Sequence, residues 1–400
     1  MQNDSFSFRL TAVIAILVLF GAVSQAATER VIHNFDGSDG NAPWSTLISD
    51  AAGNFYGTAD WGGVYSKGTA FELMPRAGGG WTEKVLHNFG LYPTDATFPM
   101  PDHLTFDAAG NLYGTSYGGG TLGYGAVFEL MPNGSGGWTE KVIHDFPFNT
   151  GVTSAVTFDN AGNLYGSIPG GILFKLTPNE SGTWTYETVH TFVGDVGSLM
   201  RDPAGNLYGV AGGGGSYGHG IVFELIPNGS GGLTVKTLHN FGCGNDGGYP
   251  TGSLTLDAAG NLYGATCLCG RYGMGTVFEA TPDGYGGWTE KVLHNFDWFG
   301  AGGLGPNGGL LIDAAGNMYG TTSGGGVYSH GVLYKLTRGQ NGTWSETVVH
   351  LFGLYDTDGI TPRASLTFDS QGNLYGTTVW GGDHSCGQGS ACGTVFEVIP

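Results

Sequence analysis

The phrase Asp-x-x-Gly-Asn-Leu-Tyr-Gly is written seven times in this chain, starting at Asp50, Asp107, Asp159, Asp202, Asp257, Asp313 and Asp369, with small changes such as Phe55 and Met318. A second phrase, His-x-Phe, also occurs seven times, at His33, His87, His144, His190, His239, His294 and His350. A third, Phe/Tyr-Glu/Lys-hydrophobic, recurs from Phe71 to Phe396. The His-x-Phe segment stands once before the first Asp-x-x-Gly-Asn and is missing after the last. The chain therefore holds seven whole repeats, circularly cut so that its first segment completes its last unit. That is how a closed ring is sealed, and an open solenoid has no use for it.

Each repeat reads as four strands. Around Asp107, Leu104 to Phe106 is a short apolar run, and Asp107 to Asn111 is a hairpin connection. There the Asp accepts backbone amides and Gly110 supplies the positive φ. Asn111 to Thr115 is a second strand, Gly118 to Gly125 a loop, Ala126 to Met131 a third strand, and Pro132 to Gly137 a turn. Trp138 to Phe146 is the fourth, alternating with period two, so that Trp138, Glu140, Val142, His144 and Phe146 share a face. Seven such units predict an all-β fold: a seven-bladed β-propeller of four-stranded antiparallel blades, one domain over residues 27–400. The N-terminal strand, Ala27 to Phe35, is expected to pair into the C-terminal blade and close the ring. A parallel β-helix is disfavoured because these turns make hairpins, and two smaller sheets by the seamless count.

The 77 glycines and 12% charged residues exclude a helical protein, while 13% aromatics at fixed spacing supply surface to bury. A formal charge of −19 without a Lys/Arg cluster excludes a nucleic-acid partner. Residues 1–26 read as a secretory signal peptide: Arg9, an apolar run from Leu10 to Val23, then Ser24-Gln25-Ala26-Ala27, with cleavage after Ala26. No second apolar run of membrane length follows, so a soluble, monomeric chain without a membrane span is expected, secreted or periplasmic. Export permits disulfides among the five cysteines. Cys386 and Cys392 are the natural short-range pair, and Cys243 could reach Cys267 or Cys269. Their spacing matches no standard zinc pattern, and no metal ligand is assigned.

The Asp-x-x-Gly-Asn-Leu-Tyr-Gly-Thr phrase, the following Gly-Gly and the Gly-Thr-Val-Phe-Glu-Leu segment resemble the GloVer tandem-repeat family of secreted bacterial proteins, across essentially all of residues 27–400. The phrase is similar, more loosely, to propeller repeats in sensor domains of bacterial two-component regulators. The GloVer resemblance implies an extracellular or surface location and carries over no activity. Members are often tethered by a C-terminal sorting signal, for which Val395 to Pro400 leaves no room.

The constant residues read as structural. Each repeated His lies on the fourth strand at a blade's outer edge and is expected to be a partly buried imidazole bonded to a neighbouring turn. The repeated Asp and Asn are turn formers, as are the sequon residues Asn133 and Asn228. Gly118-Gly-Gly and Gly213-Gly-Gly lack the following helix and lysine of a phosphate cradle.

The copies differ on one face, which carries the 2–3 and 4–1 loops, and any binding is to be sought there. Its 2–3 loops present Trp61 and Tyr65, Tyr117 and Tyr124, Tyr217 and His219, Arg271 and Tyr272, Tyr328 and His330, Trp380 and His384. His219 and His330 hold a position occupied by Lys67, Tyr124 and Met274 elsewhere. Near the start of the innermost strand stand small residues, Ser45, Ser154, Gly197, Gly252, Gly308 and Ala364, except in blade two, which has Asp102 followed by His103. One position earlier in blade seven is Arg363. Asp102, His103 and Arg363 are expected to converge on the mouth of the central channel as a polar site.

The 4–1 loops with Asp36, Asp39 and Asn41, Asn245 and Asp246, and Asp356 and Asp358 resemble fragments of calcium loops, but none reaches a distal bidentate Glu. Asx-turns are the expected role, and calcium is the one cofactor they leave open. Blade three is clipped on both loops of this face, at Ser167 to Gly171 and Val193 to Gly197. Its repeat spans 43 residues against 52–57 elsewhere, which predicts a notch in the rim. The expected function is an extracellular binding or scaffold propeller recognising a carbohydrate or cell-surface polymer, with no catalytic residue assigned. The alternative is a polysaccharide lyase or hydrolase at the channel mouth.

Overall fold

The computed structural model describes residues 28–100, 102–147, 151–152, 154–228, 232–298, 302–306, 308–355, 357–383 and 391–399. The expected signal peptide, His384 and Cys386 lie outside the described residues. Seven antiparallel sheets follow one another along the chain, each ordered from an innermost to an outermost strand. In blade two the innermost strand is split into Ala96–Pro99 and Thr105–Phe106, followed by Leu112–Gly119, Ala126–Pro132 and Trp138–Asp145. The exception to sequence order is the seal. Thr28–Asn34 pairs antiparallel with Thr394–Ile399 and becomes the outermost strand of blade seven.

Each letter of the repeated phrase has a physical job. In blade two, Asp107 Oδ1 accepts the amides of Ala109 (2.8 Å) and Asn111 (2.9 Å), and Oδ2 accepts the Asn111 side-chain amide (2.9 Å). The Tyr113 hydroxyl donates to Glu129, the acid of the Phe-Glu phrase, at 2.8 Å and lies 3.4 Å from Asp107. Gly110, at φ +85°, makes the turn. The last glycine, Gly114, has a different reason. A Cβ there would stand 2.4 Å from Phe128 Cζ, so its absence makes room for the buried Phe of the next strand.

The core lies between blades. Tyr56, Leu86 and Phe89 of blade one pack with Leu104, Leu112 and Phe128 of blade two, and similar clusters bridge the other junctions. Around the inner ring, Thr105 donates to the Val156 carbonyl (2.6 Å), Thr157 to that of Leu199 (2.8 Å) and Thr255 to that of Leu310, stitching the inner strands of blades two, three and five to the next. Thr367 donates to the Leu47 carbonyl and carries this stitch across the seal.

Strict period-two alternation of the fourth strand fails at one place, and fails there in all seven blades. Register shifts just before the His, at Ile32, Leu86, Ile143, Val189, Leu238, Leu293 and Val349. In blade two Phe128 faces Val142 while Val127 faces His144, and the extra residue Ile143 turns into the core. A bulge bends the strand and re-aims the next side chain.

The imidazoles consequently meet acids. His33, His239 and His350 reach Asp39 (2.9 Å), Asp246 (3.2 Å) and Asp358 (3.2 Å) of the following 4–1 loop. His87 and His294 instead pair with glutamates of the next blade's outer strand, Glu140 (2.8 Å) and Glu346 (3.3 Å). The expectation of a bond to a neighbouring turn covers only the first set. His144 follows neither pattern and stacks on Tyr186 at 4.8 Å.

Candidate functional site

A cavity of about 430 Å³ lies on the ring axis, lined by inner-strand residues of blades one to five, among them Ile48, His103, Phe106, Phe158 and Met200. Asp102 and His103 stand in the break between the two segments of blade two's innermost strand, Ala96–Pro99 and Thr105–Phe106. His103 Nδ1 is 3.0 Å from Asp102 Oδ1, and the pair is roughly three-quarters buried. The other Asp102 oxygen accepts the hydroxyl of Ser198, two blades away, and the amide of the intervening Ala155 points at both, 3.5 Å from Asp102 Oδ2 and 3.0 Å from Ser198 Oγ.

Burial alone would push the Asp102 carboxyl up. The His103 charge and the hydrogen bonds from His103, Ser198 and the Ala155 amide override it and hold the group at about 2. Burial likewise presses His103 down, and the Asp102 charge reverses that and raises it. Ser198 donates to the acid and not to the imidazole, so the three are not wired as a nucleophile, base and orienting acid. Arg363 lies elsewhere. Its guanidinium carbon sits 4.5 Å over the Trp44 ring, and its buried Nε has no hydrogen-bonding partner.

The rim is organised by a rule the side chains hide. In five blades the innermost strand starts with an x-Pro pair whose first residue has positive φ: Ala42 (55°), Phe98 (56°), Tyr249 (56°), Gly305 (59°) and Thr361 (61°). Each amide donates across the junction to the preceding blade, Phe98 to Lys67 (2.7 Å), Tyr249 to His219 (2.7 Å), Gly305 to Met274 (3.2 Å), Thr361 to His330 (2.9 Å) and Ala42 to Cys392 (2.9 Å). The ring uses only the carbonyl at this position, which leaves the His219 and His330 side chains free to vary. Large residues at positive φ are strained, and here they hold rings at the rim. Phe98 lies 4.7 Å from Trp61 with the Lys67 ammonium 4.6 Å over its face, and Tyr249 meets His219 edge-on at 5.6 Å.

Trp61, Tyr124 and Trp380 are exposed on this face at 52%, 42% and 43%. The clip of blade three coincides with a cavity of about 410 Å³ bounded by Asp195, Val196, Gly197, Gly212 and Tyr249 to Gly252. The loop acids form turns: Asp36 accepts the amide and hydroxyl of Ser38, and Asp358 the amides of Gly353 and Leu354. Cys243 is bonded to Cys269, which leaves Cys267 as a free thiol, and the expected partner of Cys392 lies outside the described residues.

Sequence reasoning missed Ser198, Trp44, Phe98 and Tyr249. For the last two, a readable signal existed in the x-Pro pair repeated near the start of five inner strands. It missed also the glutamates facing the histidines, although Trp-Thr-Glu recurs at Glu83, Glu140 and Glu290. Burial pushes Glu83 and Glu29 up to about 7. Burial with the nearby Asp246 charge takes Glu290 to about 8.

The repeat spacing and the propeller agree with a comparison to known families: the model of the Gloeobacter/Verrucomicrobia repeat matches residues 18–203 and again 166–396. The chain belongs to this repeat family. No curated protein matches it. Among solved structures, this member of the family is similar to a streptogramin B lyase, with a TM-score of 0.57 and 14% identity over 93% of this chain and 97% of that one. It is also similar to a catalytically inactive virginiamycin B lyase from Staphylococcus aureus with quinupristin, with a TM-score of 0.56 and 12% identity over 94% and 99%. A third is a putative 6-phosphogluconolactonase from Bacteroides uniformis, with a TM-score of 0.51 and 14% identity over 76% and 84%. At these identities the likeness is one of fold.

Proposed function

We propose that the protein is an extracytoplasmic binding propeller that recognises a carbohydrate or cell-surface polymer on its variable-loop face. One observation carries the reading. Among the described residues, twelve of the thirteen strongly exposed Trp and Tyr side chains stand on the 2–3 and 4–1 loop face, and only Tyr285 stands on the other. Exposed aromatic rings at a polar rim suit stacking on sugar rings, whose C–H faces are apolar and whose hydroxyls need nearby acceptors. The shelf of Trp61 and Phe98 is the most built of these, because a strained backbone and a cation hold it. A disulfide between Cys243 and Cys269 supports an oxidising compartment.

A glycan array on the mature chain tests the reading. Bound polysaccharides are expected, with affinity reduced by Trp61→Ala and Trp380→Ala and no turnover of the bound chain. An array without a hit sinks it.

The Asp102–His103 pair favours a second reading, a polysaccharide lyase or hydrolase at the channel mouth. It requires that Asp102→Asn or His103→Ala abolish a measurable product release while folding is kept.

A further inference from the structure

At the outer edge of the ring, five blades carry a glutamate at one register position of the outermost strand: Glu29, Glu83, Glu140, Glu290 and Glu346. Each faces the repeated His of the preceding blade. Tyr186 and Val235 take that position in blades three and four. Asp39 stands beside His33 in the same way, but among the described residues three junctions bring a 4–1 loop aspartate close to both the His and the Glu: Glu29–His350–Asp358, His87–Asp95–Glu140 and His239–Asp246–Glu290. In each set one oxygen or nitrogen per residue lies within 4.8 Å of the others.

The three sets are not equivalent. Glu140 is satisfied by the protein, since one oxygen meets His87 and the other accepts the Ala96 amide, both at 2.8 Å. Glu29 Oε1 and Glu290 Oε1 are buried without a hydrogen-bonding partner. In each of these two sets two carboxyl groups crowd one imidazole, and one glutamate oxygen is shut off from solvent with no protein donor to meet it.

We propose that the junctions between blades six and seven and between blades four and five each bind one divalent cation of the zinc type, through Glu29, His350 and Asp358 and through His239, Asp246 and Glu290. One imidazole nitrogen with two carboxylate oxygens is a borderline donor set, suited to zinc and poorly suited to calcium, which takes oxygen alone. Both aspartates are already oriented from behind. Asp358 accepts the Gly353 and Leu354 amides, and Asp246 accepts the Gly242 amide beside the Cys243–Cys269 disulfide. Glu29 belongs to the closing N-terminal strand, while His350 belongs to blade six. A cation there ties the seal to its neighbour.

The test uses tag-free mature protein, stripped with EDTA, loaded with zinc chloride, desalted and measured for metal by mass spectrometry. Two zinc ions per chain are expected, with a melting temperature raised by about 2 °C or more and no rise with calcium chloride. Glu29→Gln should hold one zinc, Glu29→Gln with Glu290→Gln none, and Glu140→Gln the full two. Gln keeps the shape without the buried charge, so the double variant in EDTA should melt no lower than the wild type, which separates lost binding from lost folding. Absence of zinc in the wild type, or a zinc count unchanged in the double variant, overturns the proposal.

Discussion

Single residues divide into those that fill space and those that carry charge. Gly114 fills space by having no side chain. Gly114→Ala would drive its methyl into Phe128 and Leu104, and overpacking of this kind costs about 1–3 kcal/mol, to be read from urea melts. The Asp102–His103 pair carries charge, and its stability contribution has two edges. The Asp102 carboxyl is lowered on folding, so its share is complete above the ordinary carboxylate range and fades as pH falls through about 2. His103 is raised on folding, so its share is complete below the ordinary imidazole value of 6.5 and is lost as pH rises through the folded value. Stability of the wild type minus that of Asp102→Asn should therefore be greatest between about pH 4 and 6.5 and should shrink on both sides. A difference that stays level below pH 4 and above the folded His103 value contradicts the pairing.

Among the elements, the outermost strand shows what a bulge does. Its extra residue recurs in every copy, so comparison between copies never exposes it, and a strict two-residue alternation misplaces Ile143. Ile143→Ala removes a side chain from the core and is expected to cost about 2–4 kcal/mol, against little change for Thr139→Ala on the exposed face. The loop between blades four and five is stapled differently. Cys243 and Cys269 close a separation of 26 residues, a constraint worth roughly 3 kcal/mol on the unfolded chain. Cys243→Ser with Cys269→Ser should lower the thermal midpoint measured under oxidising conditions relative to the wild type.

The same scale explains what could be read in advance. Turn chemistry and strand order are local, and Asp107, Gly110 and Tyr113 announce them within a few residues. Contacts between blades are not local: whether Arg363 turns to Asp102 or to Trp44 depends on the direction a side chain takes around the ring. The strand register fixes only its height. Asp102 and His103 could be picked out because they break a rule of small residues. Ser198 could not, because serine is an ordinary member of that set.

For the whole molecule, the ring separates two kinds of information. The repeated residues are spent on holding blades together, in turns, interblade clusters and His–acid pairs. The unrepeated ones gather on one face, over strained inner-strand starts that leave loop side chains free. The central claim is that this face binds and the other does not. Isothermal titration with a polysaccharide identified on the glycan array tests it most directly, comparing Trp61→Ala and Trp380→Ala with Tyr285→Ala, a residue 97% exposed on the opposite face. Both tryptophan variants should weaken binding by roughly tenfold, the loss of one stacking contact of about 1.4 kcal/mol, and Tyr285→Ala should leave it unchanged. Equal losses on both faces, or loss only in Tyr285→Ala, would contradict the account.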